Sequence, residues 1–110
     1  MDRRVGLRAR TDFGVIARDG KLFSQCRGVE ISPSGIVLDR GNLVETRHQR
    51  ILLNLELMLP ERLRAFTALA RPVWFYGTQQ ALRFVHMSDV DRLNIAEHMD
   101  LLRMRGVAFV

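Results

Sequence analysis

Cysteine occurs once in these 110 residues, at Cys26, so no disulfide can close within the chain. With no CxxC pair and no Cys/His cluster there is no metal framework either, and Cys26 reads as a small core residue of a protein in a reducing cytoplasm. The three prolines, Pro33, Pro60 and Pro72, stand singly, and no Pro/Gly/Ser linker, internal repeat or low-complexity stretch marks a domain boundary. No apolar run approaches the roughly 18 residues of a membrane span, and the opening is charged where a secretory signal would be apolar. The expectation is a cytoplasmic protein without a membrane span. Histidine is scarce too: His48, His86 and His98 show no ligand spacing and no nearby nucleophile, so catalysis is not expected and each is placed at the surface or a barrel rim.

Lysine is the last shortage, with Lys21 alone against 16 arginines. The net charge of +5 points to an anionic partner, whether nucleotide, nucleic acid or membrane surface. Arginine's planar fork grips phosphates and guanine edges at two points and stacks on bases. A codon bias explains the arginine count equally well, so position has to decide. At 47% hydrophobic and 26% charged residues the composition is that of one soluble domain with its own core.

Along the chain, "TDFGVIAR" and "LFSQCRGVEI" are β-leaning runs joined by "DGK", which predicts a hairpin because glycine accepts the positive φ of a tight turn. "SPSG" is a turn and "GIVLD" a short strand before a Gly-Asn breaker. In "RILLNLELMLP", Ile51, Leu53, Leu55, Leu57 and Leu59 share one face, a period of two that predicts a half-buried strand despite the helix-forming Leu and Glu. "ERLRAFTALA" is ambiguous between helical turn and loop. "RPVWFYG", "GTQQ" and "ALRFVHM" form a second predicted hairpin.

The period then changes. Ser88 as N-cap, Asp91 at the capping-box position and Gly106 as terminator delimit a helix. It carries two apolar stripes, Val90, Leu93, Leu101 and Met104 against Ile95, Met99 and Leu102, so one packs on the sheet and the other needs a cover. The C-terminal "VAFV", the segment around Phe66 or a second copy of the chain, giving a homodimer, would each serve. The expected architecture is all-β, a six-stranded antiparallel barrel with a C-terminal helix, because closure removes exposed edges. It divides into a basic arm over residues 1–11, the barrel over 12–87 and the helix over 88–105.

Four of the first ten residues are arginine, and "RRVGLR" sets Arg4 and Arg8 at the ends of RxxxR, directly after Arg3. About two dozen residues later, "EISPSG" places Glu30, Ser32 and Gly35 around a turn between two strands. A carboxylate there can accept from a guanine's ring NH and amine, a hydroxyl can bond base or phosphate, and a glycine lets backbone approach a ligand. The two motifs, in this order, resemble those of the PilZ domain family, which binds the bacterial second messenger cyclic di-GMP: RxxxR, then [D/N]xSxxG. The later "RPVWFYGTQQALRFVHMSDVDRLNIAEHMDLL" is similar to the family's closing hairpin and C-terminal helix, and the match is weakest between Asp39 and Arg50.

The resemblance implies that Arg4 and Arg8 engage the guanines and phosphates of cyclic di-GMP, with Ser32 and Gly35 opposite, and that binding orders the arm and signals to a protein effector. It implies base stacking by Arg3, favouring a ligand pair, and by Trp74, which borders the pocket. Against these stand a solvated Arg3 and a Trp74 in the core. No cofactor or metal is implied. Glu30 departs from the family's Asp or Asn, and its extra methylene moves the acceptor by about 1.5 Å. A nucleotide-independent adaptor is therefore the alternative. A nucleic-acid-binding barrel is disfavoured, because Phe13, Phe23, Phe75 and Phe84 are needed for the core rather than for stacking.

Overall fold

A computed structural model describes residues 8–42 and 52–107. Arg3, Arg4, His48, Ile51 and residues 108–110 of "VAFV" lie outside them. Six antiparallel strands, β1 (Ala9–Asp19), β2 (Leu22–Ser32), β3 (Gly35–Asp39), β4 (Leu53–Met58), β5 (Phe66–Tyr76) and β6 (Gln79–His86), precede helix α1 (Asp89–Met104). The strands close in the order β1-β2-β3-β6-β5-β4. The expected barrel with its C-terminal helix is the observed fold. Strand β1 is already running at Ala9, so residues 9–11, expected in the arm, belong to the sheet: Ala9 is fully buried and Arg10 pairs with Glu30.

Both hairpins turn as their glycines dictate. Asp19 pairs with Leu22 and Tyr76 with Gln79, leaving two-residue loops whose first members, Gly20 and Gly77, have φ of +65° and +61°. Period two beats helix propensity in β4, where Leu53, Leu55 and Leu57 point inward and β1 and β5 take up the backbone hydrogen bonds on either side. The ambiguous "ERLRAFTALA" resolves into a loop followed by strand, because Phe66, Ala68 and Ala70 alternate into the core. Pro72 sits beside a register shift in β5, beyond the reach of β4, so Leu82 of β6 is its one ladder neighbour.

Helix α1 starts and stops on its caps. The Ser88 hydroxyl accepts from the Asp91 amide at 3.1 Å. At the other end Gly106, φ +83°, donates to Arg103 O, and Val107 donates to Leu102 O, both at 3.0 Å. Ile95, Met99 and Leu102 are buried, so this stripe faces the barrel. Phe66 belongs to the barrel core, and among the described residues Val90, Leu93 and Met104 of the other stripe stay exposed.

Three side-chain expectations need correction. His98 is 2% exposed, not a surface or rim residue, because it falls on the buried helix face with Ile95, Met99 and Leu102. Its Nε2 lies 2.7 Å from Thr11 Oγ1, and its Nδ1 is 2.9 Å from Glu61 Oε1. Phe23 and Phe75, assigned to the core, are 62% and 46% exposed, whereas Phe13 and Phe84 are buried. Trp74 is 41% exposed, which excludes its core reading. The reason is shared: β2 has no β3 partner before Arg27 and β5 no β4 partner beyond Ala70, so both hairpins reach past the core.

Candidate functional site

Strand register brings the two sequence motifs together. Arg10 pairs with Glu30, Glu30 with Val37, Val37 with Ala81 and Ala81 with Trp74, forming one row across five strands. Directly paired residues project to the same side of a sheet. Glu30 and Trp74 therefore share the outer face, three strand spacings or roughly 14 Å apart. Register shifts next to Glu30 and next to Trp74 mark bulges, which re-aim side chains locally.

A pocket of about 90 Å³ opens at the β2–β3 turn, lined by Arg8, Glu30, Ser32 and Gly35 with Ile31, Ile36, Val37, Ala81 and Leu82. Four residues named by the two motifs thus meet across 22 or more positions of chain at one apolar-floored opening. Trp74 does not line it but flanks Ala81 on the same row. The floor residues Val37 and Ala81 had no signal in the sequence; only the register reveals them. Arg10, the fourth arginine of the opening, went unassigned although its pairing with Glu30 sets it beside the same site.

Two of these residues also serve the fold. Ser32 is buried, and its hydroxyl accepts from the Gly35 amide at 3.1 Å and the Ser34 amide at 3.3 Å, tying the turn that Pro33 and Ser34 form at the surface. A Cβ on Gly35 would stand 2.5 Å from the Leu82 carbonyl oxygen, so the glycine is required by the approach of β3 to β6.

Arg8 Nη1 lies 3.4 Å from Glu30 Oε1, joining the arginine of the first motif to the carboxylate of the second. That oxygen is shielded from solvent yet accepts no hydrogen bond. A donor delivered into the pocket would supply the hydrogen bond that the 3.4 Å ion pair leaves unmade. Arg8 itself is half exposed, free to turn towards an anion.

Elsewhere, Glu61, His98 and Thr11 fall in carboxylate–imidazole–hydroxyl order. The pocket just described does not include Thr11, and a second depression, lined by Gly14, Gln25, Cys26, Arg27, Asp39, Arg40 and Gly41, does not either. The group ties helix to barrel, and Phe13 packs edge-on against the imidazole at 5.4 Å. Burial pushes the Cys26 thiol above its ordinary range, against the opposing pull of the Arg40 charge. No three His, Cys, Asp or Glu residues cluster for a metal among the described residues, and no helix there is long and apolar enough to cross a membrane.

No protein-family model matches the sequence, and no curated protein does. The structure is more informative. It is similar to the Bacillus subtilis inhibitor of motility MotI/DgrA, with TM-score 0.76 and 15% identity over 96% of this chain and 53% of that one. This chain therefore spans about half the length of that protein. It is also similar to the PilZ domain of CeSA from a cellulose-synthesizing bacterium, with TM-score 0.65 and 10% identity over 87% of this chain and 97% of that one. A closed six-stranded antiparallel barrel in the order β1-β2-β3-β6-β5-β4, followed by one C-terminal helix, gives this chain the fold of a PilZ domain.

Proposed function

We propose that this chain is a cyclic di-GMP receptor: a cytoplasmic binding domain with no reaction of its own, whose N-terminal segment rearranges around the nucleotide and passes the change to a protein effector. The observation that carries the reading is the convergence of Arg8, Glu30, Ser32 and Gly35 on one pocket. Its chemistry suits a guanine dinucleotide. Glu30 offers a ring NH a sheltered acceptor that holds no hydrogen bond, the apolar floor accepts a base face, and Arg8, with Arg3 and Arg4 close by in sequence, supplies positive charge for two phosphates. The exposure of Trp74 at the end of the row supports a stacking role for it. The chain acts as one domain, the residues before β1 forming the arm, and the likeness to an inhibitor of motility makes motility one output to examine.

Isothermal titration calorimetry with cyclic di-GMP, and with GMP as control, tests the reading: saturable binding selective for the cyclic dinucleotide is expected, and absence of heat together with an unchanged melting temperature at high ligand would reject it. Affinity should fall modestly with salt for a two-phosphate ligand, whereas a nucleic-acid surface, to which exposed Phe23 and Phe75 would contribute, would lose affinity steeply. One observation favours a nucleotide-independent adaptor, namely the Arg8–Glu30 pair, in which each motif's charge is already answered by the other. Wild type and Glu30→Asp together separate the two readings: a receptor already binds cyclic di-GMP as wild type, whereas an adaptor disabled by Glu30 shows no binding as wild type.

A further inference from the structure

The row that begins at Ser32 and Gly35 does not end at the pocket. Gly35 pairs with Arg83, and Arg83 pairs with Arg71, so two guanidinium groups stand directly opposite each other on the outer face, one and two strands beyond the turn. Both are exposed. Three other barrel and loop arginines have answers for their charge: Arg18 holds Glu56, Arg27 holds Asp12 and Arg62 holds Glu97. Arg10 and Arg64 hold no such partner among the described residues, but neither faces a second arginine across a strand pair. Arg71 and Arg83 make no ion pair or side-chain hydrogen bond among the described residues, and neither belongs to the residues with further interactions there.

Among the described residues their surroundings offer none. The outward neighbours along the same strands are Leu69 and Val73 on β5 and Ala81 and Val85 on β6, all uncharged, and across β3 lie Gly35 and Val37. Like charges directly opposite across a strand pair destabilise a sheet, with Cβ atoms only about 5 Å apart. Such a pair is relieved by an anion held between the two forks, and two guanidinium groups match the oxygens of a phosphate in two-point fashion. The position fits this use, because Arg83 stands about 5 Å and Arg71 about 10 Å from Gly35 by strand spacing, within the span of a dinucleotide.

We propose that Arg71 and Arg83 form a phosphodiester subsite, gripping one phosphate of a cyclic dinucleotide whose base enters the pocket between Glu30 and Ala81. This rests on the receptor reading above and adds a division of labour to it: Arg8 serves one side of the ligand and the β5–β6 pair holds a phosphate on the other. The sheet backbone is fixed in register by its ladders, so the two arginine positions face each other before the ligand arrives.

Calorimetry with cyclic di-GMP on the whole chain, comparing wild type with Arg71→Gln, Arg83→Gln, the double variant and Arg64→Gln, tests the subsite. Arg64 is exposed in the loop before β5, away from the row, and controls for net charge. Each of the first two substitutions should weaken binding about tenfold or more, as expected for a lost charge-assisted contact, while Arg64→Gln leaves it unchanged. In the absence of ligand both should raise the melting temperature by about 1–4 °C as the repulsion is relieved. Wild-type affinity in Arg71→Gln and Arg83→Gln would overturn the subsite and leave the receptor reading standing. No binding by wild type would overturn both, and a lower ligand-free melting temperature would contradict the repulsion on which the subsite is built.

Discussion

Cys26 and His98 show how far a residue type indicates its own surroundings. A lone cysteine among β-leaning residues is most simply a core residue, and Cys26 is 6% exposed. Burial raises its thiol pKa in the folded protein, so folding favours the neutral thiol; the contribution is complete below the unfolded value of about 8.5 and is lost as pH rises beyond it. Urea midpoints measured from neutral to alkaline pH should fall more steeply for wild type than for Cys26→Ala, and equal slopes would show that the thiol is not sheltered. His98 was legible only by position. The spacing Ile95, His98, Met99, Leu102 marks a buried helix face, yet an imidazole there is acceptable only because Thr11 and Glu61, distant in sequence, answer both nitrogens. His98→Ala should cost about 2–4 kcal/mol in a denaturant titration, through a cavity and two stranded partners, where a surface histidine would cost almost nothing.

Elements were read best where opposite faces differ in chemistry. The leucines of β4 alternate with Asn54, Glu56 and Met58, and the caps Ser88 and Gly106 mark both ends of α1, so strand and helix follow from local pattern. Alternation ceased to report burial where a strand outruns its neighbour. Val73, Trp74, Phe75 and Tyr76 are all exposed because β4 has left β5 by Ala70, and no local property of "VWFY" states where β4 ends. The β2–β3 turn is the element on which the site depends. Gly35→Ala would drive a methyl group into the Leu82 carbonyl and push β3 from β6, so a loss of about 1–3 kcal/mol in stability is expected even without ligand. An unchanged melting temperature in Gly35→Ala would show that the strand pair yields to the added methyl group.

At the scale of the whole molecule, strand pairing brings residues of two distant motifs to one pocket. Sequence order alone sets Arg8 and Glu30 far apart; the β1–β2 ladder places Arg10 opposite Glu30, and Arg8 two residues earlier then reaches the same carboxylate. The motif residues were therefore legible, whereas Val37, Ala81 and the facing pair Arg71 and Arg83 required the registers of β3, β5 and β6. The helix packs beside this arrangement rather than within it, through Ile95, His98, Met99 and Leu102, and leaves Val90, Leu93 and Met104 exposed. The most direct measurement of the central claim is a two-dimensional amide spectrum of the labelled protein titrated with cyclic di-GMP. The account predicts that the largest shifts fall on Arg8, Ile31, Ser32, Gly35, Ala81 and Arg83, with Gly20 and Gly77 at the hairpin tips undisturbed. Shifts confined to those tips or to the exposed stripe of α1, with the β2–β3 turn unmoved, would contradict it.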